Sequence, residues 1–193
     1  MIIEHIKASD LETRKWSGGT TTQLVIFPKG AEYKKQDFLF RLSTATVESE
    51  ESTFTKLPGV SRKIMILDGE IKIEHQSRYS KTLKKFEQDS FEGNWNTKSY
   101  GKAIDFNLMT TRNTKGEIKA ISCNSSFEIK LNANVDFYVL YIYSGKINFS
   151  LDQENINLNQ GDLLQIYSEN EPGNLKLSTI QSCEIILAKI RLN

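Results

Sequence analysis

Alternation of apolar and polar residues, broken at short intervals by turn formers, restricts this chain more than any other feature. Successive strand side chains point to opposite faces, so a period of two marks half-buried β-strands. Segments of this kind, rich in Ile, Val, Phe, Tyr and Thr, predict strands over Thr22–Phe27, Phe38–Glu48, Lys63–Leu67, Glu70–Glu74 and Ile104–Thr110. Further strands are expected over Phe127–Leu131, Phe137–Tyr143, Lys146–Leu151, Leu163–Tyr167, Asn174–Ile180 and Glu184–Arg191. Only Ala8–Lys15 invites a short helix, with Ser9 or Asp10 as N-cap. Many short strands at regular spacing indicate an all-β barrel or sandwich.

Asp68-Gly69 and Ser144-Gly145 each read as a tight hairpin turn between two of these strands, because glycine supplies the positive φ that such turns need. After each comes a similar passage, Phe86-Glu87-Gln88-Asp89-Ser90-Phe91 and Leu158-Asn159-Gln160-Gly161-Asp162-Leu163. The two blocks recur at a spacing of about 75 residues, which suggests two related barrels. The boundary falls near the polar segment Arg112–Gly116, giving an N-terminal lobe over residues 1–113 and a C-terminal lobe over 114–193.

Composition narrows the function classes. An apolar fraction of 38% and a charged fraction of 25% predict a folded chain rather than a disordered one. A net charge of +1 argues against a strong electrostatic grip on nucleic acid or acidic membranes. No stretch approaches the ~20 apolar residues of a membrane helix, and the N-terminus lacks a signal-peptide pattern, so the cytoplasm is the expected location. Cys123 and Cys183 form no CxxC pair and are expected to be free thiols.

Several residues could recognise a ligand. Arg41 lies inside an apolar strand pattern, with Ser43 on its face, and a buried arginine needs a partner. That partner is either a ligand carboxylate held in a bidentate fork or an internal acid, Asp105 or Glu48. Arg62 follows the turn Leu57-Pro58-Gly59-Val60-Ser61 and reads either as a barrel-mouth residue or as an exposed strand-end arginine. Trp16-Ser17-Gly18-Gly19-Thr20-Thr21 is a glycine–threonine loop whose backbone could approach a ligand, but it lacks the lysine and helix start of a phosphate loop. Asp105, Asn107 and Met109 share one face of a strand, which either lines a polar pocket or faces solvent at a sheet edge.

The strand–turn–strand followed by the Leu158–Asp162 turn resembles the recurrent pattern of cupin barrels. Such barrels commonly hold a transition metal through a His-x-His pair, a Glu and a later His. Here only His5 and His75 are present, seventy residues apart and without an i+2 partner, so no metal and no other cofactor is expected. His5 is read as a surface strand-end residue and His75 as the end of an exposed hairpin strand.

Taken in order, five blocks resemble the HutD/Ves family of cupin-like proteins. They are Trp16–Thr21, Arg41–Glu48, Phe54 with Leu57–Arg62, Leu67-Asp68-Gly69, and Asp105–Thr110. The glycine–threonine loop is shorter than in some members, and Leu57 replaces a frequent Phe. The resemblance implies a bicupin, two fused double-stranded β-helix (jelly-roll) barrels, without bound metal. It places the family's motif arginines at Arg41 and Arg62. It also implies a role near histidine utilisation, sensing or buffering formylated glutamate intermediates, for some members and a stress-related role for others. The expectation is a metal-independent binding protein for a small anionic metabolite, with Arg41, Arg62, Trp16, Thr21, Ser43 and Asn107 forming its site. The alternatives are a metal-independent isomerase, epimerase or lyase built on a Tyr, Lys or Glu, and a structural stress protein. A homodimer is compatible with each.

Overall fold

Period-two alternation is realised as strands almost throughout the computed structural model, which describes residues 1–151, 154–168 and 172–192. All eleven predicted strands are present, and the chain divides into two units. The first lobe is Glu12–Thr114, and the second combines Met1–Leu11 with Lys115–Asn193. This corrects the expected boundary at its N-terminal end. Strand β1 (Ile2–Ile6) pairs along Leu163–Tyr167 and so belongs with the C-terminal half of the chain.

The first lobe contains β2 (Glu12–Trp16), β3 (Gly19–Phe27), β4 (Phe40–Val47), β5 (Glu51–Thr53), β6 (Val60–Gly69), β7 (Ile71–His75), β8 (Tyr79–Leu83), β9 (Gln88–Glu92), β10 (Thr97–Tyr100) and β11 (Ala103–Thr111). They form a six-stranded sheet, β2-β3-β4-β11-β6-β9, and a four-stranded sheet, β5-β10-β7-β8. Ile64 and Ile66 of the larger sheet meet Ile71, Ile73 and Leu83 of the smaller one in a shared core. Burial of each such side chain contributes about 1.5–3 kcal/mol.

The second lobe adds β12 (Lys115–Cys123), β13 (Phe127–Leu131), β14 (Phe137–Ser144), β15 (Lys146–Leu151), β16 (Glu154–Asn159), β17 (Leu163–Tyr167), β18 (Gly173–Ser178) and β19 (Cys183–Arg191). Its sheets are β1-β17-β14-β19-β12 and β13-β18-β15-β16. Strand orders β4-β11-β6-β9 and β5-β10-β7-β8 therefore recur as β12-β19-β14-β17 and β13-β18-β15-β16. Each lobe is one jelly roll of eight matching strands, extended by β2–β3 in the first and by β1 in the second. The repeat extends to individual hydrogen bonds. Phe86 N–H donates to the Ile66 carbonyl and Gly161 N–H to the Ile142 carbonyl, at 2.6 and 2.7 Å. Ile66 N–H and Ile142 N–H in turn donate to the carbonyls of Glu87 and Asp162.

Three local expectations are corrected. Asp68-Gly69 and Ser144-Gly145 do not close hairpins, because the strands before and after each glycine lie in different sheets. They are corners that carry the chain from one sheet to the other. Gly69 and Gly145 have φ of 82° and 83°, and an added Cβ would lie 2.5 Å from the carbonyl oxygens of Lys102 and Ser182. The helix expected over Ala8–Lys15 shrinks to a single 3-10 turn, Ala8–Asp10, because Glu12–Trp16 is drawn into the sheet by pairing with β3. His75, expected at an exposed hairpin strand, is buried at the end of β7. Its Nδ1 meets the Thr97 hydroxyl at 2.8 Å and its Nε2 the Asp89 carboxylate at 2.9 Å. His5 lies in β1, part-buried, with Nε2 3.1 Å from Asp162. No helix among the described residues is long and apolar enough to cross a membrane.

Gly69→Ala and Gly145→Ala should each lower the unfolding free energy by roughly 1–3 kcal/mol, from positive-φ strain and contact with the facing carbonyl. Urea titration checks this. An unchanged midpoint for either variant would show that its corner turns without glycine.

Candidate functional site

Strand β11 runs between β4 and β6, so its side chains form rows with both neighbours. Met109 lies between Arg41 and Arg62, Asn107 between Ser43 and Ile64, and Asp105 between Ala45 and Ile66. A bulge at Ile104/Asp105 shifts the β6 register at the end of this series. Strand β3 continues two of the rows, placing Thr21 beside Ala45 and Gln23 beside Ser43. Beyond it, Arg14 pairs with Thr21 and Glu12 with Gln23. Alternation thus brings residues that are remote in sequence onto one face of one sheet.

That face lines a cavity of about 420 Å³, wholly within the first lobe. All six residues expected at a site, Trp16, Thr21, Arg41, Ser43, Arg62 and Asn107, line it. The lining also includes Gln23, Tyr33, Lys34, Phe54 and Asp105, which that set left out. Asp105 was legible as a neighbour of Asn107 on one strand face. Phe54 stands in a family block, and Gln23 follows Thr21 by two. Tyr33 and Lys34 come from a 3-10 turn, Tyr33–Lys35, that gives no periodic signal.

The glycines of the Trp16–Thr21 segment do not serve as a loose ligand loop. Ser17-Gly18 turns the β2–β3 hairpin. A Cβ on Gly18 would strike the Trp16 ring at 2.1 Å, and one on Gly19 the Thr46 carbonyl oxygen at 1.9 Å. These residues let the Trp16 indole fold over the turn and let β3 close against β4.

The two arginines differ. Arg41 donates from Nε to the Gln23 amide oxygen and from an Nη to the Ser43 hydroxyl, each at 3.0 Å, and lies 4.7 Å from the Tyr33 ring centroid. Of the two alternatives for its partner, the internal acid is not the one found: neither Asp105 nor Glu48 bonds it among the described residues. Burial pushes the Arg41 pKa down. Arg62 is buried rather than exposed at a strand end. Its guanidinium lies 4.7 Å from the Phe54 centroid and 5.2 Å from that of Phe91, its cross-strand neighbour on β9. Its Nε has no hydrogen-bond partner. Burial pushes its pKa down to about 10, which leaves it a cation at neutral pH. Cation–π contact recovers part of the lost hydration, about 2 kcal/mol when the pair is desolvated.

Asp105, far from facing solvent at an edge, lies on a central strand. Oδ1 of Asp105 and Oδ1 of Asn107 are both buried without a partner. Burial pushes the Asp105 carboxyl up to about 7, against the pull of the Arg62 cation. At the outer side Glu12 is tied to Arg14 by two bonds of 2.9 and 3.0 Å. The residues present do not fit a metal centre. Guanidinium, amide and hydroxyl groups dominate the lining, and no cluster of three or more His, Cys, Asp or Glu occurs among the described residues. The two histidines belong to different lobes.

The raised pKa of Asp105 means that the folded lobe holds a proton there between about pH 4 and 7, where the unfolded chain has lost it. Stability therefore falls as pH rises through this window, by on the order of 4 kcal/mol in full. The stability difference between wild type and Asp105→Asn should move in favour of the variant by roughly 2–4 kcal/mol from pH 4 to pH 8. Urea midpoints at the two pH values measure it, and a difference that stays flat contradicts the raised pKa.

Comparison with known proteins identifies the fold and the family. The HutD family profile matches residues 8–187. Protein Ves of Escherichia fergusonii is 28% identical over 119 residues, a match spanning 58% of this chain and 60% of that protein. A conserved protein of unknown function from Pseudomonas aeruginosa PAO1 superimposes with a TM-score of 0.88 at 18% identity, covering all of both chains. HutD from Pseudomonas fluorescens SBW25 superimposes with a TM-score of 0.75 at 17% identity, covering 99% of this chain and 100% of that one. These similarities establish the two-lobed cupin-like fold, and with the profile match across both lobes the chain belongs to the HutD/Ves family.

Proposed function

We propose that the first-lobe cavity binds a small carboxylate metabolite without a metal, as a dicarboxylate or an acylated amino acid of the formylglutamate kind. The observation that carries this reading is Arg62, a buried residue whose guanidinium packs against two aromatic rings and which lines the cavity. A desolvated cation of this kind is stabilised by an anion, and a carboxylate matches its forked donors. Arg41 stands across Met109 in the same row, about 10 Å away by strand spacing, so a ligand with two anionic groups could engage both. Trp16 and Thr21 would flank the opening, with Ser43 and Asn107 beside the ligand. We place such binding in a regulatory or stress-related role, including one in histidine utilisation, as the family resemblance implies for its members.

A second reading rests on Asp105. A carboxyl titrating near neutrality in a cavity is suited to general acid–base work, and it takes the place of the Tyr, Lys or Glu expected for a metal-independent enzyme. Binding and turnover separate the two readings. Wild-type protein that stabilises on adding a ligand yet leaves it unchanged, including its exchangeable carbon-bound protons in D2O, is a binding protein.

A thermal-shift series of dicarboxylates and N-acyl amino acids tests the main reading. At about 100 times Kd a ligand should raise Tm by roughly 5 °C or more. Arg62→Met keeps an unbranched apolar stem against the rings and should abolish the shift. No stabilisation by any member of the series would defeat the proposal.

A further inference from the structure

Cys123 and Cys183 are free thiols that stand directly opposite one another, as the last pair of the antiparallel β12–β19 ladder. Both side chains face the core of the second lobe. Cys183 is buried within it, and the half-buried Cys123 packs against it. Opposed residues of an antiparallel pair have Cα atoms about 4.5 or 5.5 Å apart, and both spacings fall in the range that a disulfide spans, about 4.4–6.8 Å. The Cys123 Sγ lies 3.7 Å from the Cys183 carbonyl oxygen, and the two thiols also interact with each other. The position gives such a bond leverage. Strand β12 ends at Cys123 and β19 begins at Cys183, so the pair marks where the chain leaves the five-stranded sheet and where it returns. All of β13 to β18 lies between them. The Gly145 corner packs against the same neck, where an added Cβ would lie 3.0 Å from the Cys183 Cα.

We infer that Cys123 and Cys183 form a reversible cross-strand disulfide, a redox modification site that ties off the second lobe when a low-molecular-weight disulfide is in excess. The inference stands independently of the first-lobe cavity. Cys123, the more exposed of the two, loses its proton and attacks one sulfur of the small disulfide. A mixed disulfide forms and the first small thiolate leaves. Cys183 then loses its proton and attacks the Cys123 sulfur, which forms the protein S–S bond and expels the second thiolate. The two protons pass to the departing thiolates, so two protein thiols are oxidised and one small disulfide is reduced to two thiols. Burial pushes both cysteines up, Cys183 to about 11. Thiolate is therefore scarce at neutral pH and the exchange is slow, while no stabilised thiolate favours reopening of the bond. The pair acts as a slow lock rather than a fast sensor.

Equilibration of the folded, full-length protein with excess glutathione disulfide at mildly alkaline pH tests this, read by intact mass and by thiol titration after unfolding. Both thiols should disappear together, with the loss of two hydrogen atoms per chain and no glutathione retained, and a dithiol reductant should restore them. The closed loop holds about 60 residues, so the oxidised protein should melt roughly 5–10 °C above the reduced one. Cys183→Ser should stop at the glutathione adduct on Cys123, and neither it nor Cys123→Ser should gain the rise in Tm. Wild-type protein that keeps both thiols at equilibrium, retains glutathione, or links two chains would overturn the inference. A bond that forms without raising Tm would overturn its locking role.

Discussion

Desolvation of Arg62 is the constraint around which the first lobe is arranged. Removing a guanidinium from water is unfavourable unless something replaces hydration, and here two aromatic faces replace part of it while no carboxylate bonds the Nε. The nearest acid, Asp105, is itself desolvated and only partly drawn back toward ionisation by that cation. Arg41 does not relieve the imbalance, because its neighbours are a neutral amide and a hydroxyl. The wall therefore carries a cation and a carboxyl, each incompletely satisfied, on one sheet. Such preorganisation spares a ligand the cost of assembling its own site.

Much of this was legible in the chain. Strands such as Phe137–Tyr143 and Leu163–Tyr167 are flanked by other strands and carry the apolar residues that burial requires. The overlooked strands, β2 and β8 among them, are polar and exposed, and exist through pairing rather than patterning. The corners at Gly69 and Gly145 were misread because a positive-φ glycine serves a sheet-to-sheet corner as well as a hairpin. The burial of His75 could not be read because its partners lie 14 and 22 residues away. Arg41, Ser43 and Asn107 were found by alternation and the family blocks. Their relation to Arg62 and Asp105 needs the pairing of β11 with β4 and β6, which local pattern does not specify.

The duplicated frame shows how one architecture takes different interiors. Matching the corners aligns Arg62 with Tyr138, Ile64 with Leu140, Asp105 with Ile185 and Asn107 with Leu187. In the second lobe those four residues lie in a continuous apolar core with Phe149 and Leu177. A few substitutions on two strands separate a filled barrel from one with a polar cavity. The backbone scaffold is the same, so the site resides in side chains rather than in topology.

Strand β1 belongs to the second lobe, although the whole first lobe separates it from its partner β17. During synthesis the first lobe is a continuous stretch and can fold as it leaves the ribosome. The second lobe cannot take in β1 until β17 has been made. Ile2, Ile3 and Ile6 must wait for their β17 partners through the production of some 150 residues, an interval in which an apolar strand is open to capture by other chains or by chaperones.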